Sequence, residues 1–414
     1  MTRLCTNARR LWQRIMTMAE IGETPAGGCC RVALTDEDRQ GRDLFLEWCR
    51  EAGCEVRIDR LGNLFVRRPG TDPQRLPVAC GSHLDTQPRG GRFDGVYGVL
   101  AGLEVIETLN DNGIRTRSPL EVCVWTNEEG ARFTPPMLAS GVHAGVYPLE
   151  YALARQDEAG ITLGEALEEI GYAGEQACGS HRLGAFLEAH IEQGPILERH
   201  RQTIGVVTGV QGSRWYRLTL LGQDAHTGST PMPGRRDALV AAARLILAVR
   251  GIAEEHAPEA VATVGHLENT PNSHNTIPGR VTLTIDMRHP RAEGLETMEA
   301  ALRQAVERTS AEEAIDYEFS RIMDTAPVGF DDGCVEAIEE GARALGHAHR
   351  RMVSGAGHDA CHIARVAPTA MLFVPCAGGL SHNEAESAEP EDLAAGADVL
   401  LHALLRLAEP VGAS

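Results

Sequence analysis

The chain has 414 residues, of which 43% are hydrophobic, so it is long enough for two domains with apolar cores and too apolar for a disordered chain. Its 58 Asp and Glu residues outnumber its 39 Lys and Arg residues, and the formal net charge is −19. This excess of negative charge argues against nucleic acid and anionic membranes as partners, but it places no limit on a small substrate held in a local pocket.

The first segment of the chain predicts an amphipathic helix rather than a secretion signal. Leu4, Leu11, Ile15 and Met18 recur at helical spacing among arginines, without a continuous apolar stretch. The sequence has no apolar run of the roughly 20 residues that a membrane span needs. Its eleven cysteines are scattered without a CxxC or zinc-finger spacing, which indicates reduced thiols. We therefore expect a cytoplasmic protein that does not contact a membrane.

The two ends of the chain alternate helix-like and strand-like patterns. Helices are predicted by amphipathic or apolar segments that follow a capping residue or a glycine, and strands by short, continuous apolar runs. The predicted helices span 35–53, 95–109 and 390–408, and the predicted strands span 76–83, 119–125 and 369–376. Continuous apolar strands between helices are typical of a mainly parallel sheet covered on both faces, which predicts an α/β domain.

The middle of the chain has a different order of patterns. Strand, helix, strand, strand, helix and strand patterns follow one another at 215–222, 235–255, 260–269, 280–289, 293–308 and 314–320. This order predicts a ferredoxin-like βαββαβ domain, in which two helices cover an antiparallel sheet. We expect it to be an inserted domain of residues 212–326, between the two parts of a domain formed by residues 1–211 and 327–414.

The segment GSHLDTQPRGGRFDGVYG begins in the first predicted strand and is rich in glycine. It lacks the Lys-Ser/Thr ending of a phosphate loop and the glycine spacing of a dinucleotide loop, which disfavours a dinucleotide enzyme. His83 ends the strand, Asp85 is suited to accept a hydrogen bond from its imidazole, and Asp94 precedes the next helix. Taken alone, a histidine and two aspartates near a turn are more often structural than functional.

Further histidines and carboxylates stand at other strand ends. Glu128 and Glu129 follow the second strand, His190 lies in a short apolar segment, and His382 follows the third strand. Each of them alone would be an ordinary polar residue. Together with His83 and its two aspartates they provide the ligand chemistry of borderline divalent metals such as zinc, with a carboxylate able to bridge two ions. The set predicts a hydrolytic two-metal site, and a metal-binding protein without catalysis is the alternative.

Eight motifs, in the expected order and spread over nearly the whole chain, resemble the M20-type metallohydrolases. They are GSHLDT, TNEEGARF, EAHIEQGP, HTGSTPM, NTIPG, DMRHP, GAGHDA and SHNEAE. Within that family the chain resembles the branch of N-carbamoyl-L-amino-acid hydrolases, β-ureidopropionases and allantoate amidohydrolases. The peptidase members usually carry Asp at the position of His190, so this histidine favours the carbamoyl branch.

The resemblance implies a catalytic domain of the metal-dependent exopeptidase type, a lid and dimerisation domain, and a homodimer. It also implies two divalent metal ions per subunit, which would be zinc, with manganese, cobalt or nickel as alternatives. His83 and His190 would bind one ion, Glu129 and His382 the other, and Asp94 would bridge them. Cleavage of the carbamoyl C–N bond of N-carbamoyl amino acids is the implied reaction. Allantoate hydrolysis is the alternative within the branch, and an M20-type dipeptidase is a further one.

Roles for the remaining site residues follow from the same resemblance. Glu128 would be the general base, and Asp85 would orient His83. His226 would donate to the tetrahedral oxyanion. The substrate, which carries a carboxylate, would contact the residues that match the family's binding positions, namely Gln193, Asn275, Arg288 and His358. Of these, Arg288 would bind the carboxylate, because its planar guanidinium can pair with both oxygens.

Overall fold

The computed structural model describes residues 4–411, which divide into two compact units. Within these residues, one unit comprises residues 4–208 and 330–411, and the other comprises Gly209–Gly329. The second unit extends slightly beyond residues 212–326 at both ends.

The secondary structure alternates strands and helices through most of the chain. The strands are β1 (Glu55–Ile58), β2 (Leu64–Arg68), β3 (Val78–His83), β4 (Leu120–Trp125), β5 (Ala185–Ile191), β6 (Ile204–Val210), β7 (Gly212–Leu221), β8 (Ala225–His226), β9 (Val261–Thr270), β10 (Thr276–Ile277), β11 (Arg280–His289), β12 (Asp316–Thr325), β13 (Val328–Gly329), β14 (His349–Ser354) and β15 (Thr369–Val374). The helices are α1 (Ala8–Glu20), α2 (Asp36–Glu51), α3 (Val96–Asp111), α4 (Leu138–His143), α5 (Leu149–Leu153), α6 (Leu163–Glu169), α7 (Ile196–His200), α8 (Ala238–Glu255), α9 (Ala292–Glu313), α10 (Asp332–Leu345), α11 (Ala360–Ile363) and α12 (Pro390–Ala408). Within residues 4–411, every helix is too short or too polar to cross a membrane.

The first unit is built on a mixed sheet with the strand order β1-β2-β4-β3-β5-β15-β6. Its four central strands, β4, β3, β5 and β15, run parallel to one another. Every residue of β3, β4, β5 and β15 is buried, which explains their continuous apolar patterns. On the outer side, β1 pairs antiparallel with β2, β2 with β4, and β6 with β15. The parallel arrangement is therefore confined to the centre. Because central strands run the same way, their carboxyl ends meet at one edge of the sheet.

Helices cover the central strands of this sheet. α3 packs on β3, β4 and β5, and α12 packs on α3 and β15. α3 is buried on nearly all sides, and most of its circumference is apolar instead of one face alone. Thr35 caps the start of α2, because its side chain accepts a hydrogen bond from the Asp38 N–H, and three acidic residues in the first turn favour that helix end.

The second unit is an antiparallel four-stranded sheet with the order β12-β7-β11-β9, on which α8 and α9 pack. Alternate residues of β11 point into its core, among them Val281, Leu283, Ile285 and Met287. They pack with apolar residues of β7 and with buried residues of α8 and α9, including Leu245 of α8. A separate two-stranded ladder joins β8 to β10 and pairs His226 with Thr276.

Candidate metal centre

The sequence-predicted residues of the first unit converge on the carboxyl ends of the four central strands. His83 is the last residue of β3, and His190 lies near the end of β5. Glu128 and Glu129 follow β4, and His382 follows β15. The parallel arrangement of β4, β3, β5 and β15 therefore brings together side chains that are up to three hundred residues apart in the chain, as sites in open α/β sheets require.

A first cluster is formed by His83, Asp94 and His190, whose ligand atoms lie within 4.8 Å of one another. The Nε2 atom of His190 is 3.0 Å from Asp94 Oδ1, and that of His83 is 3.6 Å from the same oxygen. The Nδ1 atoms of both rings face backbone carbonyls, those of Asp85 and Ile191, at 2.9 Å. Since a carbonyl only accepts, both Nδ1 atoms carry the hydrogen. In each ring Nε2 is then the nitrogen that faces the cluster, which is the arrangement of metal-ligating histidines.

A second cluster is formed by Asp94, Glu129 and His382, again within 4.8 Å. His382 Nε2 is 3.3 Å from Asp94 Oδ2 and 3.2 Å from Glu129 Oε2. Asp94 thus offers Oδ1 to the first cluster and Oδ2 to the second. Burial acts to raise the pKa of Asp94, but the hydrogen bonds from His190 and His382 hold this pKa well below its usual value. The carboxylate is therefore ionised and is shared by both clusters.

The backbone of the loop before α3 is shaped around His83. Gly95 has a φ of 67°, in the left-handed region. A Cβ at this position would lie only 2.4 Å from Cε1 of the His83 ring. Glycine is required here on both grounds, and it lets the loop that carries Asp94 approach the imidazole closely.

Asp85 contacts His83 differently from the sequence-based expectation. Its carboxylate oxygen Oδ1 is 3.8 Å from His83 Nδ1, too far for a hydrogen bond, whereas its backbone carbonyl accepts from that nitrogen. The carboxylate instead accepts from the backbone N–H groups of Glu128 at 3.3 Å and Glu129 at 3.2 Å. The turn after β4 directs these two N–H groups at Asp85. Asp85 therefore orients His83 through its backbone carbonyl. Its carboxylate orients the turn that carries Glu128 and Glu129.

Glu128 is buried beside the first cluster. Its Oε2 atom is 3.5 Å from His83 Nε2, and 8% of the residue is exposed. Burial raises the pKa of Glu128 well above its usual value, and the carboxylates of Asp359 and Glu129 raise it further. Such a carboxylate holds a proton more readily than an exposed one does, which suits a group that accepts and donates protons.

Gln193 and His358 also border the clusters. Gln193 donates from Nε2 to Asp94 Oδ2 at 2.8 Å. The ring of His358 lies 4.6 Å from that of His190, centroid to centroid, and its Nε2 is 3.1 Å from Ser354 Oγ. Burial lowers the pKa of His358 well below its usual value, so this imidazole is neutral. Both side chains therefore border the first cluster or the carboxylate that it shares with the second.

The remaining sequence-predicted residues, His226, Asn275 and Arg288, lie in the second unit. His226 is exposed and its Nδ1 accepts from the N–H groups of Gly228 and Ser229 at 3.1 and 3.2 Å, so its Nε2 carries the hydrogen and is a donor. Asn275 is close to it in the β8–β10 ladder, since its carbonyl accepts from Thr227 N at 2.9 Å. The ladder therefore brings His226 and Asn275 together.

Arg288 lies near the end of β11 and is about one-third exposed. Its side chain has a relative exposure of 35%, and its NH2 atom is 2.9 Å from Asp286 Oδ2. Asp286 also accepts from Ser213 Oγ at 3.1 Å. The guanidinium is thus oriented by a neighbouring carboxylate, and part of it faces solvent.

Two buried carboxylates of this region were not singled out from the sequence. Glu188 accepts from Ser82 Oγ at 2.7 Å and from Ala360 N at 2.8 Å, and its ligand atom lies within 4.8 Å of those of His190 and His358. Glu386 accepts from Asp94 N at 3.1 Å. Glu188 could have been recognised in the sequence as a charged residue within an otherwise apolar strand. Glu386 could have been recognised by its position four residues after His382.

The donor atoms of the two clusters fit divalent metal ions. Each cluster combines imidazole nitrogen with carboxylate oxygen, and both use Asp94. Such mixed nitrogen and oxygen sets suit zinc and other first-row divalent ions, and a carboxylate shared by two ligand sets is typical of two-metal sites. His83, His190, Glu129 and His382 are the residues that could complete the two ligand sets.

Comparison with known proteins gives a consistent result along the whole chain. Residues 79–406 match the model of the peptidase family M20/M25/M40. An N-carbamoyl-L-amino-acid amidohydrolase from Rhizobium meliloti is 51% identical, covering 98% of this chain and 97% of the relative. An allantoate amidohydrolase from Bacillus subtilis is 35% identical, covering 94% and 95%. The crystal structure of an amidase of the hydantoinase/carbamoylase family from Burkholderia multivorans superposes with a TM-score of 0.96 at 56% identity, covering 98% of both chains.

Proposed function

The chain belongs to the peptidase family M20/M25/M40, and from this premise we propose that it is a cytoplasmic, metal-dependent amidohydrolase that cleaves the carbamoyl C–N bond of N-carbamoyl-L-amino acids. Water is consumed, and the products are the free amino acid, ammonia and carbon dioxide. The observation that carries the proposal is the sharing of Asp94 between two ligand clusters, with Glu128 buried beside one of them. The relative from Rhizobium meliloti supports the choice of substrate.

The residues of the first unit divide into ligands and proton carriers. His83 and His190 would hold one ion, Glu129 and His382 the other, and Asp94 both, with zinc, manganese, cobalt or nickel as the metals that suit these donors. Such ions supply Lewis acidity when bound, which makes water a nucleophile near neutral pH. Glu128 takes the proton from the attacking water and delivers it to the leaving nitrogen.

The residues of the second unit bind and orient the substrate. His226 has its Nε2–H available as a donor, which suits the developing oxyanion of the carbamoyl group. Asn275 is held beside it and offers a side-chain amide for substrate contact. Arg288 binds the amino-acid carboxylate, and Gln193 and His358 of the first unit line the carbamoyl end.

We further propose that the enzyme is a homodimer formed through the second unit. Its edge strand β9 is largely exposed, and α8 exposes Leu247 to 70% of its full accessible area and Val240 to 43%. An exposed sheet edge beside exposed apolar side chains is suited to pairing with a second copy. Sedimentation equilibrium tests this, and a monomer at micromolar concentration would contradict it.

A substrate panel tests the proposed reaction. We expect the highest kcat/KM, measured as ammonia release, on an N-carbamoyl-L-α-amino acid, with lower values on its D-enantiomer, N-carbamoyl-β-alanine and allantoate. L-dipeptides, followed by release of free amino acid, are expected to be the poorest substrates, because His190 stands where the peptidase members usually carry Asp. A preference for allantoate would favour the activity of the Bacillus subtilis relative instead, and a preference for dipeptides would reject the carbamoyl assignment.

Arg288 provides a test of the substrate's carboxylate. We expect Arg288→Ala to lower kcat/KM on an N-carbamoyl-L-amino acid by on the order of 10²-fold, the scale of a lost charge-assisted pair. Arg288→Lys keeps the charge but loses the planar fork, so it should also be impaired. The corresponding amide should be a poor substrate of the wild type and should respond little to either variant.

Arg280, at the exposed start of the same strand, gives the matched control. Arg280→Lys should leave kcat/KM unchanged on both the acid and the amide. If the Arg288 variants lose the same factor on the acid and on the amide, the arginine supports the fold, and its role as carboxylate ligand is wrong.

A further inference from the structure

Glu386 is a buried carboxylate that connects two loops of the candidate metal centre. It is 5% exposed, and it follows the loop that carries His382. Its Oε1 atom accepts from the backbone N–H groups of Phe93 at 3.0 Å and Asp94 at 3.1 Å. Its Oε2 atom accepts from Ser381 Oγ at 2.8 Å. One side chain therefore bonds to the loop of Asp94 and to the residue that precedes His382.

The carboxylate of Glu386 packs directly against the backbone at Gly91. A Cβ added to Gly91 would lie 2.1 Å from both Cδ and Oε1 of Glu386. Contact this close cannot occur, so the carboxylate rests against the main chain at a position that only glycine permits. Its three hydrogen bonds therefore have a defined geometry.

The hydroxyl of Ser381 extends this connection to the side chain of Asp94. Ser381 Oγ is 3.0 Å from Asp94 Oδ2, the oxygen that faces His382, in addition to its contact with Glu386. A hydroxyl has one hydrogen and donates to one carboxylate at a time. When Asp94 Oδ2 is used as a ligand, Ser381 can donate to Glu386, and the loop of His382 stays anchored.

The two ligand clusters depend on this connection to different degrees. In the first cluster the histidines are oriented by the carbonyls of Asp85 and Ile191, without any contact with Glu386 or Ser381. In the second, His382 has a φ of 53° and a side chain that is half exposed, and the residue before it is bonded to Glu386. A non-glycine residue in this conformation needs support from its surroundings.

We propose that Glu386 is a positioning residue that aligns Asp94 with His382 and thereby sets the metal affinity of the second cluster. The proposal rests on the proposed function, because it requires that the clusters bind metal. Loss of Glu386 weakens the position formed by Asp94, Glu129 and His382 and leaves the position formed by His83, His190 and Asp94 close to normal.

Cobalt(II) binding to the chelator-treated, full-length protein tests this directly. We expect the wild type to bind two cobalt ions and Glu386→Ala to bind one with unchanged affinity and the other roughly 10- to 100-fold more weakly, the usual effect of removing a partner of a ligand. Glu386→Gln should be intermediate, because its amide oxygen can still accept from Phe93 and Asp94. Equilibrium dialysis gives the two affinities, and the visible absorption of cobalt reports the coordination at each position.

Two further variants separate positioning from folding. Ser381→Ala removes the hydroxyl that links Glu386 to the loop of His382 and that also contacts Asp94 and Gln193. Gly91→Ala displaces a chemically intact Glu386, and both variants should weaken the same ion. The control is Glu104→Gln, since Glu104 is a buried carboxylate that accepts from a backbone N–H, that of Asn7 at 2.9 Å, and it should change neither affinity.

The outcomes distinguish this inference from the proposed function. A wild type that binds two ions, with Ser381→Ala and every folded Glu386 variant binding both at wild-type affinity, overturns the role of Glu386 and leaves the proposed function intact. Equal weakening of both ions also overturns it, because that result places the effect on Asp94, which both clusters share, and not on the alignment of Asp94 with His382. A wild type that binds no cobalt overturns the proposed function itself.

Discussion

Glu128→Gln is expected to keep the bound metals and the KM of the wild type while kcat falls by roughly 10²- to 10⁴-fold, the scale of general acid–base catalysis. The substitution preserves the size and shape of the side chain and removes only its ability to accept a proton. The backbone N–H of residue 128 would still be held by Asp85. The turn after β4 should therefore keep its conformation, and the change should be confined to proton transfer.

The environment of Glu128 explains why this carboxylate is suited to the task. It is buried, its Oε2 atom is 3.5 Å from His83 Nε2, and burial raises its pKa well above the usual value. Asn127, which precedes the two adjacent acids in the turn, has a φ of 57°. Glu129 faces His382, at 3.2 Å, and Glu128 faces the first cluster. One acid is thus available as a ligand while its neighbour can move a proton.

Glu129→Gln is the matched control for Glu128→Gln, because it makes the same chemical change one residue further along. It should lose metal as well as turnover, whereas Glu128→Gln should lose turnover alone. Metal analysis and steady-state kinetics on both variants decide the assignment. Near-normal turnover in Glu128→Gln would give the role of the base to another residue, and loss of metal in that variant would make Glu128 a ligand.

The convergence of the site was predictable because its residues stand at the ends of continuous apolar strands. The burial of β3, β4 and β15 on both faces produces a pattern that is readable in the sequence, and their parallel direction brings His83, Glu129 and His382 to one edge. The antiparallel outer strands were not predicted. β1 has an alternating, half-exposed pattern over only four residues, too short to distinguish it from a loop.

The orientation of individual side chains could not be predicted in the same way. Asp85 was expected to bond to His83 through its carboxylate, and the outcome depends on the direction of a backbone carbonyl, which residue types do not encode. Gln193 and His382 both have positive φ values, 56° and 53°, although neither is glycine. Glu386 belongs to the motif that contains His382, but its contact with Asp94 joins two loops that are distant in sequence, and only the folded chain brings them together.

Removal of Asp94 is expected to have the largest effect on metal content of any single substitution. Its two carboxylate oxygens are divided between the clusters, since Oδ1 is 3.0 Å from His190 Nε2 and Oδ2 is 3.3 Å from His382 Nε2. Asp94→Ala should therefore weaken both ions, and it should abolish measurable ammonia release. His382→Ala removes a ligand from the second cluster alone and should retain the ion at His83 and His190.

Metal analysis after gel filtration, together with activity before and after treatment with a chelator, measures these effects. Chelation of the wild type should abolish turnover, and added zinc, manganese or cobalt should restore it, because the ligand side chains remain in place. Restoration should fail in Asp94→Ala at metal concentrations that saturate the wild type. The comparison with His382→Ala is decisive, because a terminal ligand and a bridging ligand predict different stoichiometries. If Asp94→Ala loses only one ion, the carboxylate belongs to a single position, and the two clusters bind their metals independently.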